Sequence, residues 1–183
     1  YTTFNTIGKT RDDAAGEAFD KAARAMGMPY PGGVHLDKVA DSGNENSFKF
    51  PRPTVTNSKY DFSFSGLKTA IINQIHNAKQ KNNTLPVNDL SASFRKSVVD
   101  CLTTNFIKAA KDFGYNKLVV AGGVSANSLL RQQLLEECSK YNWKLYLPDL
   151  CFCGDNAAMV GSQAYYEYLN GNIASLNLNA CAS

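Results

Sequence analysis

From residue 117 to residue 169 the sequence alternates short apolar runs with helical patterns, and this alternation restricts the possible fold most strongly. Leu118-Val119-Val120-Ala121 is wholly apolar, as expected of a strand buried between layers of helices. The predicted order is strand 117–121, helix 126–140, strand 143–147 and helix 156–169, with Gly171 as a cap. Such an order is typical of a parallel α/β unit.

Longer helical patterns precede this unit. Apolar residues recur at helical spacing over residues 66–80 and 88–113, and Gly114 supplies a C-cap for the second of these helices. An earlier helix is predicted to begin near Thr10 and Asp13 and to end near residue 26. We therefore expect one α/β domain over residues 1–183, with a pair of long helices inserted ahead of the parallel strands.

Shorter elements are predicted around these helices. Residues 1–7 are expected to form a strand, and Phe48 and Phe50 lie in a possible edge strand. Tyr30-Pro31-Gly32-Gly33 is expected to be a turn, followed by a short helix over residues 36–40.

Composition limits the class of protein. No apolar run approaches the length of about 18 residues that spans a membrane, so we expect no membrane span. The first residues include neither an initiator Met nor an apolar signal region, and we expect a fragment of a longer protein. A net charge of +3 is too small to indicate nucleic-acid binding by itself.

The five cysteines favour a reduced, cytoplasmic protein because their number is odd and their spacings are irregular. Cys151 and Cys153 are compatible with half of a metal site, but the sequence lacks a second Cys/His pair at zinc spacing. It also lacks a Ser/His/Asp set or an HExxH motif, so a self-contained hydrolase is not supported.

An acidic stripe on the first helix has two interpretations. Asp13, Glu17 and Asp20 recur at helical spacing, as on a solvated face. However, Gly16 inside the same helix costs about 1 kcal/mol relative to Ala and indicates a close approach by another group. Asp37 follows soon after, and carboxylates such as Asp20 and Asp37 are suited to accept hydrogen bonds from ribose hydroxyls.

The segment AGGVSAN at 121–127 also has two interpretations. It is either a tight strand-to-helix turn or a place where Gly122 and Gly123 let the backbone lie against a base or a phosphate. In the second case Asn127 offers an amide that both donates and accepts. The segment matches neither a P-loop nor GxGxxG.

Two further features have a structural and a functional alternative. Asp155, after Gly154, is either the N-cap of a helix or an oxygen ligand for a metal. Basic residues around the inserted helices form either a solvated face or a contact for tRNA phosphates. They are Lys59, Lys68, Lys79, Lys81, Arg95 and Lys96.

These motifs together closely resemble the TsaD family of tRNA N6-adenosine threonylcarbamoyltransferases, once described as O-sialoglycoprotein endopeptidases. The similarity runs from Thr10 to about Leu169. The motifs are DDAAGEAFDK (12–21), YPGG (30–33), FPRP (50–53), DFSFSGLKT (61–69), AGGVSAN (121–127) and DNAAM (155–159). The resemblance implies the second lobe of an actin/Hsp70/sugar-kinase-like (ASKHA) fold, which binds a nucleotide between two lobes.

The resemblance also implies roles for single residues. ATP or threonylcarbamoyl-adenylate is expected to contact Asp20, Gly33, Asp37 and Asn127, and Gly122 and Gly123 belong to the same site. Asp155 is expected to bind one metal ion, iron or zinc, together with two histidines of an HxxxH motif. This sequence lacks that motif and, with it, the first lobe. No residue is assigned as catalytic.

The implied activity is transfer of a threonylcarbamoyl group from its adenylate to N6 of the adenosine next to the tRNA anticodon. Expected partners are tRNA and proteins similar to TsaB and TsaE. We expect the isolated chain to be inactive, to bind ATP weakly or not at all, and to self-associate through its uncovered cleft. The alternatives are a metal-dependent glycoprotein endopeptidase and a non-catalytic ATP-binding scaffold.

Overall fold

The computed structural model describes residues 2–52 and 55–179. Its helices and strands are α1 (Ala15–Ala25), α2 (Gly32–Ala40), α3 (Ser65–Gln80), α4 (Val87–Phe113), β1 (Lys117–Val119), α5 (Ser128–Lys140), β2 (Lys144–Tyr146) and α6 (Ala157–Leu169). Short 3-10 turns, Gly123–Ala126 and Leu150–Phe152, precede α5 and α6. The predicted inserted pair of helices is confirmed as α3 and α4.

The strands β1 and β2 form a small parallel sheet. Lys117 pairs with Lys144 and Leu118 pairs with Leu145, and α5 connects the two strands. Parallel neighbours need such a crossover connection. The predicted mixed α/β unit is therefore confirmed, although each strand is shorter than expected.

The long helix α4 contributes to two hydrophobic clusters. Phe94 and Val98 belong to a cluster with residues of α1, α2 and α3. Val99 and Ile107 belong to a second cluster with residues of β1 and α5. Because successive residues on a helix are about 100° apart, Val98 and Val99 face different neighbours. One helix thus holds the N-terminal helices and the α/β unit together.

The predicted strand over residues 1–7 is wrong for its described part. Residues 2–7 form no strand, and the Phe4 side chain is 81% exposed. The first backbone bridge is an isolated parallel one between Thr10 and Phe62. A strand needs a paired neighbour for its backbone groups, and the described residues offer none before Lys9, whose carbonyl accepts from the Phe62 N–H. Tyr1 lies outside the described residues.

The aromatic pair of the predicted edge strand has a different role. Among the described residues near Phe48 and Phe50 there is no strand. The Phe50 ring packs edge-to-face on Phe94, with centroids 5.7 Å apart, and the Phe48 N–H donates to Ser93 Oγ. The two aromatic side chains therefore anchor an irregular segment on α4. Pro53 of the FPRP motif lies outside the described residues.

Helix α1 begins later than predicted. The Thr10 hydroxyl donates to the Asp13 carbonyl, which forms a turn ahead of the helix instead of a cap on it. The N-cap residue is Ala14, which provides no side-chain hydrogen bond.

Among the described residues, no helix is both long and apolar enough to cross a membrane.

The N-terminus of α3 is capped by a residue distant in sequence, Asp12. Its Oδ1 accepts hydrogen bonds from the backbone N–H groups of Phe64 (2.7 Å) and Ser65 (3.3 Å), and its Oδ2 accepts from the hydroxyls of Ser63 and Ser65. Partial burial alone would raise the pKa of Asp12, but these hydrogen bonds outweigh it and lower the pKa to about 2. Asp12 thus ties the segment before α1 to α3.

We expect Asp12→Ala to lower the free energy of unfolding by about 1 kcal/mol, because α3 loses its cap. The folded pKa lies below the ordinary value of 3.8, so this stability is present above that value and is lost as the pH falls through about 2. In urea unfolding, the difference between wild type and variant should shrink between about pH 4 and pH 2. A difference that stays constant over this range would contradict the assignment.

Candidate functional site

A cavity of about 520 Å³ lies between α1, α2 and the turn before α5. Among the residues predicted for a ligand site, those that line it are Asp20, Gly33, Asp37, Gly123 and Asn127. Other walls are largely apolar and include Phe19, Val34, Val124 and Leu150. An apolar cavity with a few convergent polar groups is the usual form of a small-molecule site.

A second groove, of about 610 Å³, lies between α4 and α5 and has a different character. Charged residues of both signs line it, among them Asp100, Lys108, Lys111, Glu136 and Glu137. It offers little apolar wall against which a planar base could pack. The cavity beside α1 and α2 is therefore the better candidate site for a nucleoside.

Asp20 is held in place by the first turn of α2. This helix begins at Gly32, so the Gly-Gly pair predicted to be part of a turn is helical, and the predicted start at Leu36 is wrong. The first N–H groups of a helix have no partner within it. The Gly33 N–H donates to Asp20 Oδ1 (2.9 Å). Asp20 Oδ2 has no hydrogen-bond partner in the described part of the chain and remains an acceptor.

The acidic stripe is not a uniformly solvated face. Lys21 forms ion pairs with both Asp13 and Glu17, and Asp20 instead contacts α2. Gly16 lies in the first turn of α1 rather than in its interior. A Cβ added there would lie 3.4 Å from Val124 Cγ2, so Val124 packs next to Gly16 at about van der Waals distance.

The two glycines of α2 differ in what surrounds them. A Cβ on Gly32 would lie 2.6 Å from Ala23 Cβ, which is closer than two non-bonded carbon atoms can approach. A Cβ on Gly33 would meet Phe19 Cβ at 3.5 Å, which is an ordinary contact. Gly32 is therefore required for the packing of α2 on α1, whereas Gly33 borders the cavity.

The glycines of AGGVSAN also differ. Gly122 has φ +88°, a conformation that favours glycine, and it does not line the cavity. Gly123 lines the cavity, and a Cβ there would meet no atom within 4 Å. Gly122 thus serves the turn, while Gly123 leaves space beside the cavity.

The Asp37 carboxylate joins three helices. Its Oδ1 accepts from Asn127 Nδ2 (2.8 Å) and from Arg95 Nη1 (2.9 Å), and its Oδ2 accepts from the Ser128 N–H (3.0 Å). Asn127 in turn caps α5, because its Oδ1 accepts from the Leu130 N–H (3.0 Å). Burial by itself would lower the pKa of Arg95, but the hydrogen bonds to Asp41 and Asp37 raise it.

With this geometry established, comparison with known proteins identifies the family. The sequence profile described as "TsaD: tRNA N6-adenosine threonylcarbamoyltransferase" matches residues 1–162. This chain belongs to the TsaD family.

Curated relatives carry the same description. The tRNA N6-adenosine threonylcarbamoyltransferases of Clostridium botulinum (strain Kyoto / Type A2) and Clostridium perfringens (strain SM101 / Type A) are each 49% identical to this chain over 180 residues. Each alignment covers 98% of this chain and 53% of the relative. The chain therefore spans about half the length of the curated relatives it matches.

Two solved structures share the fold. Full-length HypF in its phosphate- and nucleotide-bound form matches with a TM-score of 0.59 and 20% identity, over 84% of this chain and 20% of that chain. HypF from T. kodakarensis matches with a TM-score of 0.60 and 22% identity, over 85% of this chain and 20% of that chain. At such identity the similarity concerns the fold alone.

Asp155, the metal-ligand candidate of this TsaD chain, does not line the cavity. It is exposed, in the loop before α6, and the predicted N-cap role is wrong, because Asn156 caps α6 through the Met159 N–H (2.9 Å). The described residues contain no group of three or more His, Cys, Asp or Glu side chains that could hold a metal ion. Asp155 by itself does not complete a metal site within the described residues.

The Cys151-Phe-Cys153 segment does not present a pair of ligands on one surface. Cys151 is exposed, whereas Cys153 is buried and donates its thiol to the Asp149 carbonyl (3.6 Å). Both are free thiols.

Arg95 is buried, although it was predicted to lie on the surface. The prediction grouped it with surface lysines as a possible tRNA contact, but its side chain is only 10% exposed. The position of Arg95 in the sequence indicated its burial, because it follows buried Ser91 by four residues and precedes buried Val98 by three. Such spacing places it on a buried stripe of α4.

We expect Gly32→Ala to destabilise the chain by about 1–3 kcal/mol, because the added methyl group forces α1 and α2 apart. Gly33→Ala serves as the matched control: it should be neutral or slightly stabilising, since Ala is the better helix former. Urea unfolding of both variants measures the difference. Equal destabilisation would show that the two positions are not distinguished by packing.

Proposed function

We propose that this chain is the nucleotide-binding lobe of a two-lobed enzyme of the ASKHA fold. The full-length protein, meaning the gene product that contains this chain, transfers a threonylcarbamoyl group from threonylcarbamoyl-adenylate to N6 of the adenosine adjacent to the tRNA anticodon. Its substrate is tRNA, and it works in the cytoplasm with proteins similar to TsaB and TsaE. Membership of the TsaD family supports this proposal.

The observation that carries the proposal is the convergence of separate motifs on one cavity. Asp20 comes from DDAAGEAFDK, Gly33 from YPGG, Asp37 from the residues just after YPGG, and Gly123 and Asn127 from AGGVSAN. Up to about 100 residues separate them in sequence, yet they surround the same apolar space.

The side chains of this lobe act by binding and orientation. The free Oδ2 of Asp20 accepts a ribose hydroxyl, and the amide of Asn127 donates its second N–H to the ligand. The apolar walls hold the base and exclude water. In the transfer, N6 of the adenosine attacks the carbonyl carbon, the bond from that carbon to the phosphate oxygen breaks, AMP leaves, and N6 loses a proton. Fixing the adenylate for this attack lowers the entropic part of the barrier.

The proposal includes one metal ion, iron or zinc, and Asp155 is the one ligand that we propose for it on this chain. When bound, such an ion supplies Lewis-acid polarisation of an oxygen on the acyl donor. The exposed Asp155 carboxylate has no hydrogen-bond partner in the described part of the chain, so it is free to act as a ligand. The other ligands would come from the remainder of the full-length protein.

The endopeptidase alternative is not favoured, because the matching relatives are described as transferases. Self-association of the isolated chain through its cleft stays a prediction. A separate surface that would favour it is α6, which has no buried residue. Its exposed apolar side chains include Met159, Val160, Tyr165, Tyr168 and Leu169.

We expect the full-length protein, given threonylcarbamoyl-adenylate and tRNA with its partner proteins, to form N6-threonylcarbamoyladenosine. Asp155→Ala should lose both bound metal and transfer, while Asp149→Ala, an exposed carboxylate in the same loop, should keep both. Elemental analysis and mass spectrometry of digested tRNA provide the readouts. Stoichiometric metal in Asp155→Ala would refute its role as a ligand, and absence of product from the wild type would refute the transferase proposal.

A further inference from the structure

Arg95 is a buried cation at the junction of α2, α4 and α5. Its Nη1 donates to the Asp37 carbonyl (2.9 Å), to Asp37 Oδ1 (2.9 Å), to Asp41 Oδ1 (2.7 Å) and to Ser128 Oγ (3.2 Å). Among the described residues, its Nε is buried without a hydrogen-bond partner. The described partners of this guanidinium are on α2, at its C-cap Asp41, or at the start of α5.

The Asp37 carboxylate accepts four hydrogen bonds from other residues of the chain. Oδ1 receives Arg95, Asn127 and the Ser128 hydroxyl, and Oδ2 receives the Ser128 N–H. A carboxylate offers about four lone-pair positions. Oδ1 is therefore fully occupied, whereas Oδ2 has a single donor and keeps one acceptor position. The contacts of Asp37 hold the amide of Asn127 and the first turn of α5 beside the cavity.

Arg95 does not itself line the cavity, whereas Asp37 and Asn127 do. The chain of contacts runs from Arg95 through Asp37 to Asn127, whose Oδ1 is also fixed by the cap of α5. Removing the guanidinium would leave the half-buried Asp37 carboxylate without its neighbouring positive charge, and such a carboxylate moves toward solvent or takes up a proton. Either response weakens the hydrogen bond from Asn127 Nδ2 to Asp37, which leaves the Asn127 amide held through the cap of α5.

We propose that Arg95 is a positioning residue for the cavity, acting through Asp37 to orient Asn127 toward a bound nucleotide. This inference rests on the proposed function, because it assumes that the ligand of the cavity is a nucleotide. Its distinguishing consequence is that Arg95 and Asp37 act as one unit. Their effects on nucleotide affinity are then not additive.

The test is a double-mutant cycle in the full-length protein, with ATP as the probe and calorimetry as the readout. Arg95→Met removes the charge at similar length, and Asp37→Asn removes the acceptor charge. We expect each single variant to weaken ATP binding about tenfold or more, as expected when a buried polar group loses its partner. The double variant should bind ATP with an affinity no lower than that of the weaker-binding single variant. Arg95→Lys, which restores a positive charge, should recover part of the affinity.

Lys96→Met is the matched control, because Lys96 is the next residue on α4 and pairs with Glu45, away from α2 and α5. It should bind ATP as the wild type does. Thermal unfolding of every variant shows whether it is folded, and Arg95→Lys replaces Arg95→Met in the cycle if the latter is not. Folded Arg95 variants with wild-type affinity, or strictly additive losses, would overturn the positioning role. A wild-type protein that does not bind ATP would instead refute the proposed function.

Discussion

The packing of one helix into two hydrophobic clusters is the constraint on which the rest of the structure depends. Phe94 and Val98 of α4 join the N-terminal helices, and Val99 and Ile107 join the parallel α/β unit. The cavity lies between these two parts, because α1 and α2 belong to the first and α5 belongs to the second. The relative position of its walls is therefore set by α4, which contributes no residue to its lining.

The ion pair between Arg95 and Asp37 connects this packing to the chemistry of the site. It is a largely buried contact, and buried ion pairs contribute little net stability. Its value in this structure is geometric, because it fixes a carboxylate that in turn fixes Asn127 and the start of α5. The site is thus built from hydrogen bonds between helices rather than from a single phosphate-binding loop.

The sequence predicted the helices and the parallel unit well, because the spacing of apolar residues along a helix or strand follows directly from which of its faces is buried. It also predicted that Asp20, Gly33, Asp37, Gly123 and Asn127 belong to one site, and the structure brings them together. Their individual roles as ligand contacts stay predictions. The burial of Arg95 was missed although its spacing on α4 indicated it. Features that depend on distant contacts were also missed, namely the Asp12 cap on α3 and the helical start at Gly32. A local sequence pattern does not show which distant group will form a hydrogen bond with a given backbone N–H.

The central claim is that a nucleotide binds between α1, α2 and the turn before α5, and photolabelling of the full-length protein with 8-azido-ATP tests it most directly. Mass spectrometry of the labelled peptides locates the modified residues, and competition by unlabelled ATP separates specific from random labelling. The account predicts competed labels within residues 15–40 or 123–130. Competed labels confined to the groove between α4 and α5, or to residues outside this chain, would contradict it.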